Sequence, residues 1–393
     1  MLLEKFGLRD TLPMFGNSDN ASNMVKGLGQ SLLEMYGCNN HTQQLAILDA
    51  FKEYKQNDFN DEQTMLDCSD VCKKLSEFLH KSSVGKDMLE HECEVTGHAF
   101  KTIHQANDTR WDSRFDNMEG VVYHEECLMR LARQGKFTKK SKGRTYSLVP
   151  TISQFRMIKA GVKVLRFCKV TTKQFEQEKV PTLPIVVERF YNMDKEMEQF
   201  IDDLEHTEEE MAIDFATVLR EKLQRRFPEF GTDRVLNCMA NYLNPALKGI
   251  HLKLTKKFEA TKEEMEDKLK SWKEDSMEVT EEDDDPDDPA EPVQAVKLSP
   301  TQLLKQQLMQ ADVLDDTGAS GIRLRISRGR AVSDLGMTAF EKECHMYEKL
   351  PDVQQDADLL GWWRNHQEQF PLLSYIVRYF FHHDQNLFYF FIF

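Results

Sequence analysis

The sequence of 393 residues has no run of about 18 apolar residues, the length that a membrane-spanning helix needs. Its first ten residues, MLLEKFGLRD, include acidic residues and no continuous apolar core, so they do not resemble a signal peptide. The eight cysteines lack the spacing of a disulfide framework. These absences predict a reduced, intracellular protein with no membrane partner.

Acidic residues are missing from one long stretch of an otherwise acidic chain. The net charge is −15, which argues against nucleic acid, yet from Arg130 to Lys173 there are thirteen Lys or Arg residues and no Asp or Glu. Phosphate binding needs a local positive surface rather than a positive total. Two interpretations stay open, a solvated basic face and a DNA-binding surface. The candidate DNA-binding residues in this stretch are Lys139, Lys140, Lys142 and Arg144.

Basic residues are missing from another segment. Glu274 to Pro292 holds eleven acidic residues, three prolines and no Lys or Arg. Such a segment cannot bury enough apolar surface to offset the entropy that it would lose on ordering. We therefore predict a disordered acidic linker over residues 274–335.

Apolar spacing predicts helices over most of the rest. Two strand–helix steps are expected over residues 10–55. The first helix carries Val25, Leu28, Leu32 and Met35 and ends at Gly37, and the second carries Leu45, Leu48 and Phe51. Residues 60–110 are expected to be mixed and helical, and residues 112–273 mainly helical. Long amphipathic helices are predicted over Ile185–Leu204 and Met211–Phe227.

Three motifs in the N-terminal part resemble those of hAT-family DNA transposases. Asp19-Asn20-Ala21-Ser22-Asn23-Met24-Val25-Lys26 is similar to the family's second catalytic-aspartate motif. The resemblance implies that Asp19 is a vestigial metal ligand at a strand end of an RNase H-like fold, where a hard divalent cation binds carboxylates. A cluster of helix-capping residues is the alternative.

The second and third motifs follow in the family's order. Cys38-Asn39-Asn40-His41 resembles a Cys-x-x-His element, although a zinc site would need two further ligands. Thr109-Arg110-Trp111-Asp112-Ser113 resembles the family's Thr-Arg-Trp-x-Ser element, whose Trp stacks on a flipped base. The resemblance makes Arg110 and Trp111 candidate DNA-binding residues, and a buried Trp that anchors a helix start is the alternative.

The C-terminal part resembles the family's dimerisation region. Trp362-Trp363 and Phe370-Pro371-Leu372-Leu373 carry the likeness, and Asn244-Pro245 matches a family Asp-Pro segment loosely. Aromatic residues at this density are typical of protein–protein interfaces, although an intramolecular core is the simpler interpretation. The candidate dimerisation residues are Phe340, Tyr347, Leu350, Trp362, Trp363, Phe370, Leu372 and Leu373.

The departures from the family pattern bear on activity. The family's first catalytic Asp and its BED-type zinc finger are expected upstream of Met1, and its Ser-Glu-Arg element does not follow Leu373. Two-metal chemistry needs several converging carboxylates, so Asp19 alone predicts no enzyme, no metal site and no cofactor. The intact family uses Mg²⁺ or Mn²⁺. One alternative is a fragment of an active transposase that cleaves and joins DNA, and another is a helical scaffold with chance motifs.

The resemblance implies an α/β fold, a partial RNase H-like unit with a large helical insertion and C-terminal helices that pack back against the α/β part. We expect the partial core at 1–110, the insertion at 111–273, the linker at 274–335, the dimerisation region at 336–380 and an aberrant aromatic tail at 381–393. The expected partners are a second copy of the chain and DNA, with no small-molecule substrate. The expected location is nuclear, otherwise cytoplasmic.

Overall fold

The computed structural model describes residues 15–18, 34–58, 61–107, 110–141, 143–176, 181–205, 207–278, 337–354 and 357–381. These residues are mostly helical. The α-helices are α1 (Asn39–Glu53), α2 (Met65–Lys81), α3 (Ser83–Thr96), α4 (Trp111–Tyr123), α5 (Glu125–Arg133), α6 (Ile152–Phe175), α7 (Val186–Leu204), α8 (Glu210–Arg226), α9 (Val235–Tyr242), α10 (Ile250–Leu254), α11 (Phe258–Glu278), α12 (Ala339–Lys349), α13 (Leu359–His366) and α14 (Pro371–Phe381).

The strands form two-stranded sheets in the described part of the chain. They are β1 (Phe15–Ser18), β2 (Glu34–Gly37), β3 (Lys55–Asp58), β4 (Asp61–Thr64), β5 (Thr138–Ser141) and β6 (Arg144–Ser147). β1 pairs with β2, β3 with β4, and β5 with β6, the last two pairs antiparallel. The structure thus combines helices with small sheets, and the RNase H-like arrangement stays a prediction.

Local sequence signals explain where several helices begin and end. The Thr64 hydroxyl accepts from the N–H of Asp67, and the Asp67 carboxylate accepts from the N–H of Thr64, which is a capping box at the start of α2. The same arrangement opens α6 and α12. Gly97 ends α3 with a left-handed φ of 67°, and Pro228 follows the end of α8.

Two expectations for the N-terminal region need correction. The helix expected to extend through Met35 to Gly37 is wrong there, because Glu34–Gly37 forms strand β2 and pairs with β1. Helix α1 is confirmed, but its buried face agrees only in part with the apolar residues that the sequence places on it. Leu45 and Leu48 are half-buried, whereas Ile47 and Phe51 are fully buried. The buried face also includes small and polar side chains such as Gln43, which obscured the pattern.

The described residues form two compact units, called here the large unit (those of Gly16–Ser31 and Met35–Asn237) and the small unit (those of Met1–Phe15, Leu32–Glu34 and Cys238–Phe393). In the large unit, one continuous apolar core runs from Ala46 to Phe227. Leu75 and Met118 both lie in it, so the expected boundary at 110/111 does not separate two cores. Helix α6 packs closely within it, since an added Cβ at Gly161 would lie 2.9 Å from Cε of Met65.

The small unit joins residues from both sides of the expected linker. Helices α12 and α14 share it with residues from Cys238 onward, so the C-terminal helices group with the end of the predicted insertion. Helix α11 continues to Glu278, five residues beyond the expected end of the insertion at 273. The remainder of the predicted linker, residues 279–335, and the tail from 382 onward lie outside the described residues.

Candidate nucleic-acid interface

The basic stretch folds into helix α6 and the β5–β6 hairpin, and α6 is lined by acidic partners. Its charges contact carboxylates on neighbouring helices or just before them. The pairs are Lys159–Glu125 at 2.5 Å, Lys163–Glu209 at 2.5 Å, Arg166–Glu119 at 3.1 Å and Lys169–Asp116 at 3.0 Å. In the described part of α6, Arg156 and Lys173 have no such partner. Carboxylates therefore offset four of the six cations of α6, and the exposed Arg156 and Lys173 remain.

The hairpin differs because its lysines are unpaired. Lys136, Lys139 and Lys140 are exposed, and no acidic side chain among the described residues lies within ion-pair distance of them. β5 and β6 pair in register from Thr138↔Ser147 to Ser141↔Arg144. Lys142 lies outside the described residues, as does the side chain of Arg144.

The base of the hairpin is fixed in the core of the large unit. Phe137 and Leu148 flank the two strands and are 4% and 5% exposed. The N–H of Leu148 donates to the carbonyl of Phe137 at 2.8 Å, and the Phe137 ring lies edge-on to Phe78 with centroids 5.5 Å apart. At the tip, Gly143 takes a φ of 77°, which suits glycine in a tight turn. Unpaired lysines are thus held on a fixed, exposed loop.

Trp111 takes the buried position that was one of its two interpretations. It is 2% exposed at the start of α4, and its ring meets Phe115 edge-on with centroids 6.3 Å apart. A base cannot stack on the ring in this conformation. Arg110 is exposed, and its carbonyl accepts from the hydroxyl of Ser113 at 2.8 Å, which helps to fix the turn before α4.

The residues of the predicted catalytic and Cys-x-x-His motifs have separate outcomes. Asp19 lies outside the described residues, so its role stays a prediction. Cys38 and His41 are half-buried at the start of α1. The Cys38 carbonyl accepts from the Thr42 hydroxyl at 2.9 Å, a helix-start contact.

Other cysteines and histidines in the large unit form ordinary buried contacts. Sγ of Cys93 lies 3.5 Å from Nδ1 of His124, and Nε2 of His124 lies 2.7 Å from the carbonyl oxygen of Lys101. Burial lowers the pKa of His124 and raises that of Cys93 to about 12. No three His, Cys, Asp or Glu side chains of the described residues are arranged to hold a metal ion.

The predicted dimerisation residues cover one another within a single chain. Tyr347 is fully buried, and its hydroxyl donates to the carbonyl of Tyr242 at 3.1 Å. Nε1 of Trp363 donates to the carbonyl of Leu243 at 2.9 Å. Phe340, Phe370, Leu372 and Leu373 are also buried, while Leu350 and Trp362 are half-buried. Six of the eight residues are thus buried within the small unit, and self-association stays a prediction.

Sequence reasoning missed the acidic partners of α6 and one aromatic residue of the hairpin. Asp112, Asp116 and Glu119 recur at helical spacing on α4, which could have indicated one acidic face. Nothing local indicates that this face meets α6. The missed aromatic residue is Tyr146 on β6, which is 41% exposed. Its position in a stretch without acidic residues is the sequence signal that could have indicated it.

None of the helices that the structure describes has the length and apolar character that crossing a membrane requires. Neither models of known protein families nor curated proteins match this sequence. The resemblance to hAT transposases therefore rests on the motifs quoted above, and the nuclear location and the absence of a cofactor stay predictions.

Proposed function

We propose that this protein is a transposase-derived, catalytically inactive protein that binds nucleic acid through the β5–β6 hairpin. The observation that carries the proposal is the contrast in ion pairing. Lys136, Lys139 and Lys140 are exposed and unpaired among the described residues, whereas four cations of α6 are paired. Unpaired lysines on an exposed loop are the groups that phosphate oxygens would meet first.

The proposed affinity for nucleic acid is mainly electrostatic. A lysine that neutralises a phosphate releases a condensed counterion, and this release supplies most of the affinity of sequence-independent binding. Because phosphate contacts carry no sequence information, the proposed binding is weak, independent of duplex sequence and steeply salt-dependent.

The proposal of catalytic inactivity rests on the resemblance, which matches one catalytic carboxylate of the family within this sequence. Asp19 is the matched residue, and the segment after Leu373 carries Asp384 as its one acidic residue through Phe393. A two-metal site needs several carboxylates around cations about 4 Å apart.

The same resemblance makes β1, β2, α1 and β3 a proposed remnant of an RNase H-like core. Metal-dependent cleavage of DNA that disappears in Asp19→Ala would instead favour an active transposase.

The test is fluorescence anisotropy of the full chain with labelled duplex and single-stranded oligonucleotides. If three lysines each contact a phosphate, affinity for duplex should fall about 40-fold between roughly 50 and roughly 200 mM salt. The double variant Lys139→Glu and Lys140→Glu should weaken binding at low salt and reduce the magnitude of the salt slope by about two.

The matched control reverses two lysines of the small unit. Lys256→Glu with Lys349→Glu makes the same change in net charge, and both lysines are exposed and unpaired among the described residues. This control should retain nearly all the affinity. If both double variants lose affinity equally, the effect is one of total charge and the hairpin proposal is wrong.

A further inference from the structure

We infer that the β5–β6 hairpin is a binding site for single-stranded nucleic acid, in which a base stacks on Tyr146 while Lys139 contacts a neighbouring phosphate. The inference rests on the proposed function and adds the class of strand that the site takes. Base stacking needs an unpaired base, because the bases of a duplex are already stacked on one another.

Strand register places the aromatic ring and a cation together. Lys139 and Tyr146 are directly opposed residues of β5 and β6. Opposed residues of an antiparallel pair point to the same face, with Cβ atoms about 5 Å apart. One face of the hairpin therefore carries a ring and an ammonium group at neighbouring positions, while Lys140 points to the opposite face.

No ring contact or hydrogen bond among the described residues explains why residue 146 is aromatic. Its side chain is 41% exposed, and neither another ring nor a hydrogen-bond partner contacts it among the described residues. Its neighbours Thr145 and Ser147 are exposed and polar. Since Phe137 and Leu148 hold the hairpin at its base, Tyr146 does not anchor it. The exposed part of Tyr146 is where we propose that a base stacks.

The positive charge of the hairpin favours nucleic acid as the ligand that stacks on Tyr146. No Asp or Glu occurs from Arg130 to Lys173, so the hairpin itself has no carboxylate to repel phosphates. A neutral aromatic ligand has no anionic group to pair with Lys139, and a cationic ligand would be repelled. A strand with unstacked bases supplies both a π-face and phosphates at short spacing, which is the combination used by proteins that bind single strands.

The test compares three labelled probes at low salt with the full chain: an oligothymidylate, an abasic strand of equal length and a duplex of equal length. Tyr146→Ala should weaken binding of oligothymidylate at least about fivefold. Tyr146→Phe keeps the ring and should bind within about twofold of the unaltered chain. On the abasic strand and the duplex, all three proteins should bind alike. The melting temperature of Tyr146→Ala should match that of the unaltered chain.

The outcomes separate the inference from the function beneath it. If the Lys139→Glu and Lys140→Glu variant loses affinity but Tyr146→Ala does not, stacking is wrong and the proposed function stands. If Tyr146→Ala weakens the binding of all three probes equally, the loss of affinity reflects a distorted hairpin and the inference is overturned. If neither variant weakens any probe, the hairpin is not the site and both proposals fail.

Discussion

Helix α6 and the β5–β6 hairpin come from one basic stretch, yet the fold uses their charges differently. Four cations of α6 pair with acids from α4, α5 and the turn before α8, and Lys169 is largely buried between Asp116 and Asp112. The hairpin keeps Lys139 and Lys140 exposed and unpaired among the described residues. A charge run in a sequence therefore marks a binding surface only where the fold brings no opposite charge to it.

The contrast predicts that reversing a paired cation disrupts folding more than reversing an unpaired one. Lys169 lies 3.0 Å from Asp116 and 4.0 Å from Asp112, with Nζ 5.6 Å from the centre of the Phe115 ring. Lys169→Glu would place three carboxylates together and should lower the free energy of unfolding by about 3–4 kcal/mol. Urea denaturation followed by fluorescence measures this.

Lys140→Glu is the control for that experiment. Because Lys140 is exposed on the hairpin, its reversal should change the free energy of unfolding by less than about 0.5 kcal/mol. Equal losses from the two reversals would mean that the ion pairs of α6 add no stability beyond that of exposed charges, and the comparison would fail.

The small unit extends the comparison to a buried acid, Glu343, that has no cation partner among the described residues. Glu343 is 6% exposed, and its carboxyl oxygens accept from the N–H groups of Leu372 and Leu373 at 3.0 Å. Burial raises its pKa from 4.5 to about 7, although these two hydrogen bonds act in the opposite direction. Between those values the unfolded chain releases the proton and the folded chain keeps it.

Stability of the small unit should therefore fall by about 2–3 kcal/mol as the pH rises from about 4.5 to about 7. Below this window both states are protonated, and above it both are ionised. Urea denaturation at several pH values, followed by tryptophan fluorescence, to which Trp362 and Trp363 of the small unit contribute, measures the change. Glu343→Gln should remove this dependence, and a variant that keeps the full slope would assign it to other groups.

The smallest expected effect concerns affinity and tests the comparison directly. Replacing Glu119, Glu125 and Glu209 by Gln leaves Arg166, Lys159 and Lys163 without partners. Helix α6 should then resemble the hairpin, and affinity for duplex DNA should rise about tenfold at low salt, with a steeper salt dependence. Anisotropy titrations measure both. An unchanged affinity would show that α6 is sterically closed to phosphates, so that pairing alone does not explain the contrast.

Much of the secondary structure could be predicted from the sequence, because its signals act within one helical turn. The capping boxes that begin with Thr64, Thr151 and Thr338, and the stop at Pro228, depend on neighbours three or four residues away. The face of α1 was predicted less well, since Gln43 and small residues take buried positions that a hydrophobic pattern does not mark.

The sequence by itself determined the helical segments, the turn at Gly143 and the concentration of positive charge between Arg130 and Lys173. Tertiary structure decided which charges stay available, that Trp111 is buried, and that the C-terminal aromatic residues cover one another. The physical reason is how far apart along the chain the interacting residues lie. Caps and turns form between close neighbours in the chain, whereas ion pairs and aromatic contacts form between residues that only packing brings together.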